Sequence, residues 1–294
     1  MDTPPVCNYD NSDYQSSFWD QGGRAYEDAV EGVALSRLLP PQGGELLLEL
    51  GAGAGRNTPR YKNYKRVVLL DYAHTQLEQA CRRLGEDPRY TYVAADIYHL
   101  PFAPGLFDGA TMIRTLHHMA DARRALDGVR QVLRPDACFI LEFANKHNLK
   151  SVLRFALRRQ SWNPFSPEPI EFAPLNFDFH PATVRSWLNL AGFCVERQLT
   201  VSHFRVGWMK RILPLGVLVA MDSVAQLTGN WWQLSPSVFV RARATGQTAP
   251  AAEGAFFRCP ACGAALAETP PEITCPSCGR IFPVQDGIYN FRLN

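Results

Sequence analysis

Residues Leu46–Arg56 read LLLELGAGAGR: three leucines and an acid run into a turn with glycine at every second position, Gly51, Gly53 and Gly55. A buried strand that ends in such a turn and then opens a helix is a nucleotide-binding layout, because backbone N–H groups at the turn face the ligand. The spacing narrows the choice of nucleotide. A dinucleotide-binding turn needs a small third residue three places after the second glycine, and that place holds Arg56. No Gly-Lys-Ser/Thr follows, so a phosphate loop is excluded as well. Glu49, just ahead of the glycines, repels phosphate and suits a ligand with a positive charge and an amino-acid tail.

The chain of 294 residues is 46% apolar and 20% charged, which predicts a packed core in one large domain plus a small one. A formal charge of +2 does not by itself argue for nucleic acid. The first twenty residues are acidic and polar, unlike a secretory signal. The longest apolar run, ILPLGVLVAM from Ile212, is about half the length needed to span a bilayer and reads as a buried helix or a lid. Four of the eight cysteines, Cys7, Cys81, Cys138 and Cys194, are scattered singly, as suits free thiols in a cytoplasmic protein.

Strands are expected at ELLLEL, RVVLLD, YTYVAAD, FDGATMI and CFILEF, and helices at AHTQLEQACRRLG and at DARRALDGVRQVLRP, the latter ended by Pro135. Such alternation implies a doubly wound α/β fold around a mostly parallel sheet. A further helix at ATVRSWLNLAGF precedes two antiparallel strands, CVERQLTVSHF and SVFVRARA. The expected division is an N-terminal helical cap at 1–40 and a main domain at 41–245. A linker at 246–254 and a compact cysteine-bearing tail at 255–294 complete it.

The run Glu49-Leu-Gly51-Ala-Gly53-Ala-Gly55 resembles the first motif of class I S-adenosylmethionine-dependent methyltransferases, and later motifs follow in the order of that family over roughly 26–243. The nearest branch in style is the quinone-biosynthesis group, methyltransferase type 11. The resemblance implies a Rossmann-like seven-stranded sheet. It implies that Asp71, with Tyr72 beside it, grips the two ribose hydroxyls. It further implies that Asp96 faces the adenine amine, with Ile97 packed on the ring. Physical chemistry agrees, since one carboxylate accepts two hydroxyl hydrogens at once and glycines let the methionine part pass close to the backbone. Arg114 and Thr115, in RTLHHM after the fourth strand, are expected to touch the cofactor through their backbone. A dinucleotide site would share an acid placed like Asp71; the glycine spacing and the later motifs separate the two.

Methyl transfer from a sulfonium needs alignment, worth on the order of 7–11 kcal/mol, and needs a base only where the nucleophile carries a proton. His117 and His118 are the candidates for that base. Asn163 in WNPFSP follows the fifth strand, not the fourth, and so is unlike the Asn-Pro-Pro-aromatic motif of amine and amide methyltransferases. The segment 145–180 is the expected substrate cover. Its basic residues, including Lys150, Arg154 and Arg158, precede aromatics such as Trp162 and Phe172. Three occupants stay open there: an apolar acceptor with an acidic group, RNA, or an anionic membrane surface. Tyr14, Trp19, Arg24 and Tyr26 are expected to close over the cofactor, with Arg24 facing its carboxylate.

Cys259-x-x-Cys262 and Cys275-x-x-Cys278 present four thiolates on two knuckles, the set that tetrahedral structural zinc requires. A tail this short has no core of its own, so metal binding supplies its folding energy. CPSCGRIFPVQDGIYNF also resembles the small zinc-ribbon activator of tRNA and release-factor methyltransferases, though without the helical insert between cysteine pairs. The whole reads as a methyltransferase acting on an oxygen or carbon of a small or lipid-like acceptor, with a fused zinc ribbon. RNA or protein methylation guided by the ribbon, and a non-catalytic cofactor-binding partner protein, are the alternatives.

Overall fold

The computed structural model describes residues 4–12, 17, 19, 21–246 and 248–293; Tyr14 lies outside them. Helix α1 (Ala25–Leu38) leads into β1 (Gly44–Leu50), β2 (Tyr64–Asp71), α2 (His74–Leu84), β3 (Tyr90–Ala94), β4 (Phe107–Met112), α3 (Ala122–Val132) and β5 (Leu133–Ala144). Then come α4 (Leu149–Ala156), a hairpin of β6 (Ile170–Ala173) and β7 (Asn176–Asp178), α5 (Pro181–Leu190) and β8 (Phe193–Val201). Two helices, α6 (Gly207–Ile212) and α7 (Leu215–Ala225), precede β9 (Ser237–Ala244).

Strands β3-β2-β1-β4-β5-β9-β8 form the expected seven-stranded sheet, parallel except where β9 runs against β5 and β8. Its strands are apolar on both faces because both faces are covered. On β1, Leu46, Leu48 and Leu50 enter one buried cluster while Leu47 enters the other. The order reverses at β1, with β2 on one side and β4 on the other, and such a switch point is where open α/β sheets leave a crevice at the carboxyl ends of their strands.

Three local expectations are corrected. No α-helix follows the glycine turn; the chain makes only a 3-10 turn at Thr58–Arg60 before β2, with Pro59 at its start. Helix α3 does not run to Pro135 but stops at Val132, and Pro135 lies inside β5. Proline disfavours helical backbone at its predecessor, in keeping with Arg134 lying in β5. The apolar run from Ile212 is not a buried helix: α7 buries Leu218 and Asp222, while Leu215, Val217, Met221 and Val224 are exposed.

The tail folds as β10 (Phe257–Arg258), β11 (Ala265–Leu266), β12 (Glu272–Thr274), β13 (Ile281–Gln285) and β14 (Ile288–Asn290). It is not a detached unit. β14 pairs in parallel with β3, and β13 and β12 follow, so the sheet reaches ten strands. Asp286 and Gly287 both take positive φ between β13 and β14, the two-residue turn that antiparallel hairpins favour. Phe257, Phe282 and Phe291 join Phe102 in the core of the main domain. The stretch expected as a linker is tied down too, since Ala251 donates to the Gly105 carbonyl.

Candidate functional site

A cavity opens at the switch point, lined from the carboxyl ends of four neighbouring strands: Gly51–Ala54 after β1, Asp71 and Tyr72 after β2, Ile97 after β3, and Arg114 and Thr115 after β4. Gly51 has φ +66, and a Cβ there would come 2.1 Å from Thr115 Oγ1, so only glycine lets the turn lie against β4. At Gly53 (φ +52) a Cβ would meet nothing within 4 Å, which leaves that backbone open to a ligand. Gly55 is different. It does not line the cavity, and its missing Cβ makes room for Leu84 and Ala80 of α2.

Asp71 is held in place by two backbone donors, Gly53 N–H (2.8 Å) on Oδ2 and Ala73 N–H (2.9 Å) on Oδ1. Burial raises its pKa, and these donors offset part of that. Glu49 lines the cavity, accepts the Thr58 hydroxyl at 2.6 Å, and is pushed up to about 7 by burial. Asp96 behaves otherwise: Oδ1 accepts Tyr98 N–H and Oδ2 faces His99 Nδ1 at 2.9 Å, and it is not among the cavity-lining residues.

Arg114 takes the left-handed φ of +60, rare for a non-glycine residue. Its N–H donates to Glu142 Oε2 (2.9 Å) and its guanidinium binds Glu31. Glu31 is fully buried and also accepts from Arg56 (2.8 Å). Burial alone would raise Glu31, but Arg114 and Arg56 outweigh it and hold the carboxyl below its ordinary value. Arg56 itself lies over the Trp19 ring, 3.5 Å from its centroid.

The two histidines part company. His118 lines the cavity, and its Nδ1–H donates to the Leu175 carbonyl at 3.0 Å. That fixes the tautomer and leaves Nε2 as an acceptor, 3.3 Å from the Tyr9 hydroxyl. Burial keeps His118 below its ordinary pKa and so neutral. His117 does not line the cavity; its Nδ1 is buried with no partner among the described residues, and burial and His118 lower its pKa strongly.

Val6, Cys7 and Tyr9 also line the cavity, as does Trp19. Only Trp19 was expected, because an irregular polar segment carries no periodicity to read. Arg24 and Tyr26 stand elsewhere. Arg24 lines a second cavity, and Tyr26 Oη donates to buried Asp222 at 2.6 Å.

In the tail the Sγ atoms of Cys259, Cys262, Cys275 and Cys278 all lie within 4.8 Å of one another, the spread one tetrahedral metal ion would span. Gly263 and Gly279 donate back to the Cys259 and Cys275 carbonyls, closing the two knuckles.

With this geometry in view, the known proteins add a class. A methyltransferase-domain family model matches residues 48–141. A demethylmenaquinone methyltransferase of Clavibacter sepedonicus is 26% identical over 68% of this chain and 91% of its own. The O-methyltransferase cnsE of Penicillium expansum is 31% identical, over 42% of this chain and 48% of its own length, so only about half of that relative is spanned. Among solved structures, the complex of the Haloferax volcanii Trm112 methyltransferase activator with a methyltransferase superposes with a TM-score of 0.55 at 16% identity. It covers 80% of this chain and 98% of that one, a likeness of fold alone. The protein is a class I S-adenosylmethionine-dependent methyltransferase. The relatives it resembles include demethylmenaquinone methyltransferases.

Proposed function

We propose that the enzyme methylates an oxygen or carbon of a small or lipid-like acceptor, with the cofactor in the switch-point cavity and the acceptor beside His118. The observation that carries this is a histidine whose Nδ1–H is held by the Leu175 carbonyl, so that Nε2, now facing the Tyr9 hydroxyl at 3.3 Å, is its proton acceptor at a cavity shared with the glycine turn and Asp71. When bound, S-adenosylmethionine supplies an already activated methyl group. The chain supplies position. Gly51 and Gly53 admit the methionine part, and Glu49 meets its positive charge. Asp71 and Tyr72 take the ribose, with Ile97 beside the adenine. Arg114 and Thr115 face the cofactor through backbone. Asp96 acts at one remove, by capping the turn that carries Ile97. His118 Nε2 accepts the proton of an acceptor hydroxyl, worth roughly 10²–10⁴-fold where that proton must leave. His117 has no such access.

The acceptor chemistry is supported by relatives named as demethylmenaquinone and O-methyltransferases. Cys259, Cys262, Cys275 and Cys278 hold structural zinc in this reading; four protein ligands leave no open position for catalysis. No helix among the described residues is long and apolar enough to cross a membrane. Calorimetric titration with S-adenosylhomocysteine tests the cofactor site: the intact protein binds, and Asp71→Ala weakens binding about 100-fold, as loss of charge-assisted hydrogen bonds predicts. No binding by the intact protein overturns the reading.

A further inference from the structure

Two stretches of the chain carry a one-sided charge. Residues 145–165 contain no acid, and 203–233 contain one, Asp222. That one faces inward, fully buried, bound by Tyr26 and by the His203 N–H at 2.7 Å. Of the basic residues in the same stretches, Lys146 is buried while Lys150 and Arg154 are exposed. Lys150 and Arg154 of α4 face Arg205 and Lys210 across a second cavity of about 730 Å³. Glu27 is the one carboxylate in that lining, and Lys210 already holds it at 2.6 and 2.7 Å. Arg205 Nε and Nη2 are buried there without a hydrogen-bond partner among the described residues. Glu27, Glu31 and Glu142 lie within electrostatic reach of that guanidinium, so the charge open to an outside anion is that of exposed Lys150 and Arg154.

Exposed apolar residues stand on the same two helices, α4 and α6, and on the neighbouring loop. Leu149 and Leu153 of α4, with Leu157 at its C-cap, form an i, i+4, i+8 stripe. Trp208 and Ile212 form an i, i+4 pair on α6, with Ile212 70% exposed. Trp231 is 77% exposed in the loop whose Leu234 carbonyl accepts the N–H of Leu149. Leucine and isoleucine at such exposure lose free energy to water and gain it in a hydrocarbon boundary.

We propose that this face docks on an anionic bilayer, phosphate groups entering the cavity between α4 and α6 while the leucine stripe, Trp208 and Ile212 enter the headgroup–acyl boundary. Basic residues beside aliphatic and tryptophan side chains are the composition of interfacial helices. A single-stranded RNA fits the cations and the exposed tryptophans but leaves Leu149, Leu153, Leu157 and Ile212 in water. The docking does not depend on which acceptor is methylated.

The test is co-sedimentation of the full chain with vesicles of phosphatidylcholine alone and of equal parts phosphatidylcholine and phosphatidylglycerol. Selective, salt-sensitive binding to the mixed vesicles is expected. At about fivefold per basic residue near an anionic surface, Lys150→Gln with Arg154→Gln lowers the partition coefficient roughly 25-fold. Trp208→Ser with Ile212→Ser lowers it roughly tenfold or more. S-adenosylhomocysteine binding reports separately on the folded cofactor site. Should the apolar pair fail to fold, the Lys150/Arg154 pair, both exposed, decides. Equal binding to both vesicles, no binding, or indifference to the charge pair overturns the proposal. So does loss of vesicle binding to inorganic phosphate at matched ionic strength, or preference for a single-stranded RNA oligonucleotide over mixed vesicles.

Discussion

Around the switch-point cavity the cations have carboxylate partners; around the second cavity several do not. Arg56 and Arg114 converge on one buried acid, Glu31, and Arg56 also binds Asp28. Lys150, Arg154 and Arg205 have no ion-pair partner among the described residues. Paired charges fix a geometry before a ligand arrives. Unpaired charges leave a surface whose partner is outside the molecule. One chain uses both arrangements, and each can be broken separately.

The largest break is metal removal. If zinc supplies the tail's folding energy, on the order of 10–16 kcal/mol in small zinc modules, chelation unfolds 257–290. Hydrogen exchange should then show lost protection at Tyr92 and Ala94, whose strand pairs with β14. Protection kept after complete metal removal would show that apolar packing of Phe257 and Phe291 suffices.

Glu31→Gln comes next. It leaves two guanidinium groups facing a neutral amide in a buried site, and breaking such a pair costs about 3–5 kcal/mol. Denaturant unfolding measures it. Because pairing holds Glu31 low, its stabilisation is intact above the unfolded pKa of about 4.5 and is lost as pH falls below that. A cost under about 1 kcal/mol would mean the paired arrangement is no more organised than the unpaired one.

Glu49 sharpens the contrast by titration. Its folded pKa of about 7 exceeds the unfolded value, so the ligand-free protein loses stability as pH rises from ordinary carboxylate values toward 7. A cationic ligand favours the ionised form, so cofactor affinity rises with pH, about tenfold between pH 6 and 8, and levels off above. Calorimetry at the two pH values reads this, and Glu49→Gln should flatten the profile.

The smallest effect concerns Arg292, which reaches from the tail to Asp10 at 2.8 Å and lies over the Tyr72 ring. Arg292→Ala should cost about 0.2–1 kcal/mol as a partly exposed pair. It should also weaken S-adenosylhomocysteine binding a few-fold if the segment with Cys7 and Tyr9 is steadied from the tail.

Legibility followed periodicity. β1 and β2 carry continuous apolar runs because both their faces are covered, and those runs are visible in a string of letters. Gly51 and Gly53 were legible as a turn. That Gly55 serves α2 was not, because its constraint comes from Leu84, far along the chain. His118 and His117 are equivalent in sequence; only the Leu175 carbonyl, delivered by the β6–β7 hairpin, separates them. Tyr9 came from an aperiodic segment with no signal. The run from Ile212 misled because apolarity alone does not say which side of a helix has neighbours; Asp222 alone takes α7's polar anchor inward.

The parallel pairing of β14 with β3 has a consequence for synthesis. β3 leaves the ribosome long before Ile288–Asn290 exist, so its edge must wait with open backbone groups for a strand far downstream. During that interval the nascent chain is exposed to strand pairing with its neighbours, and the folding of the last forty residues sets when the interval ends.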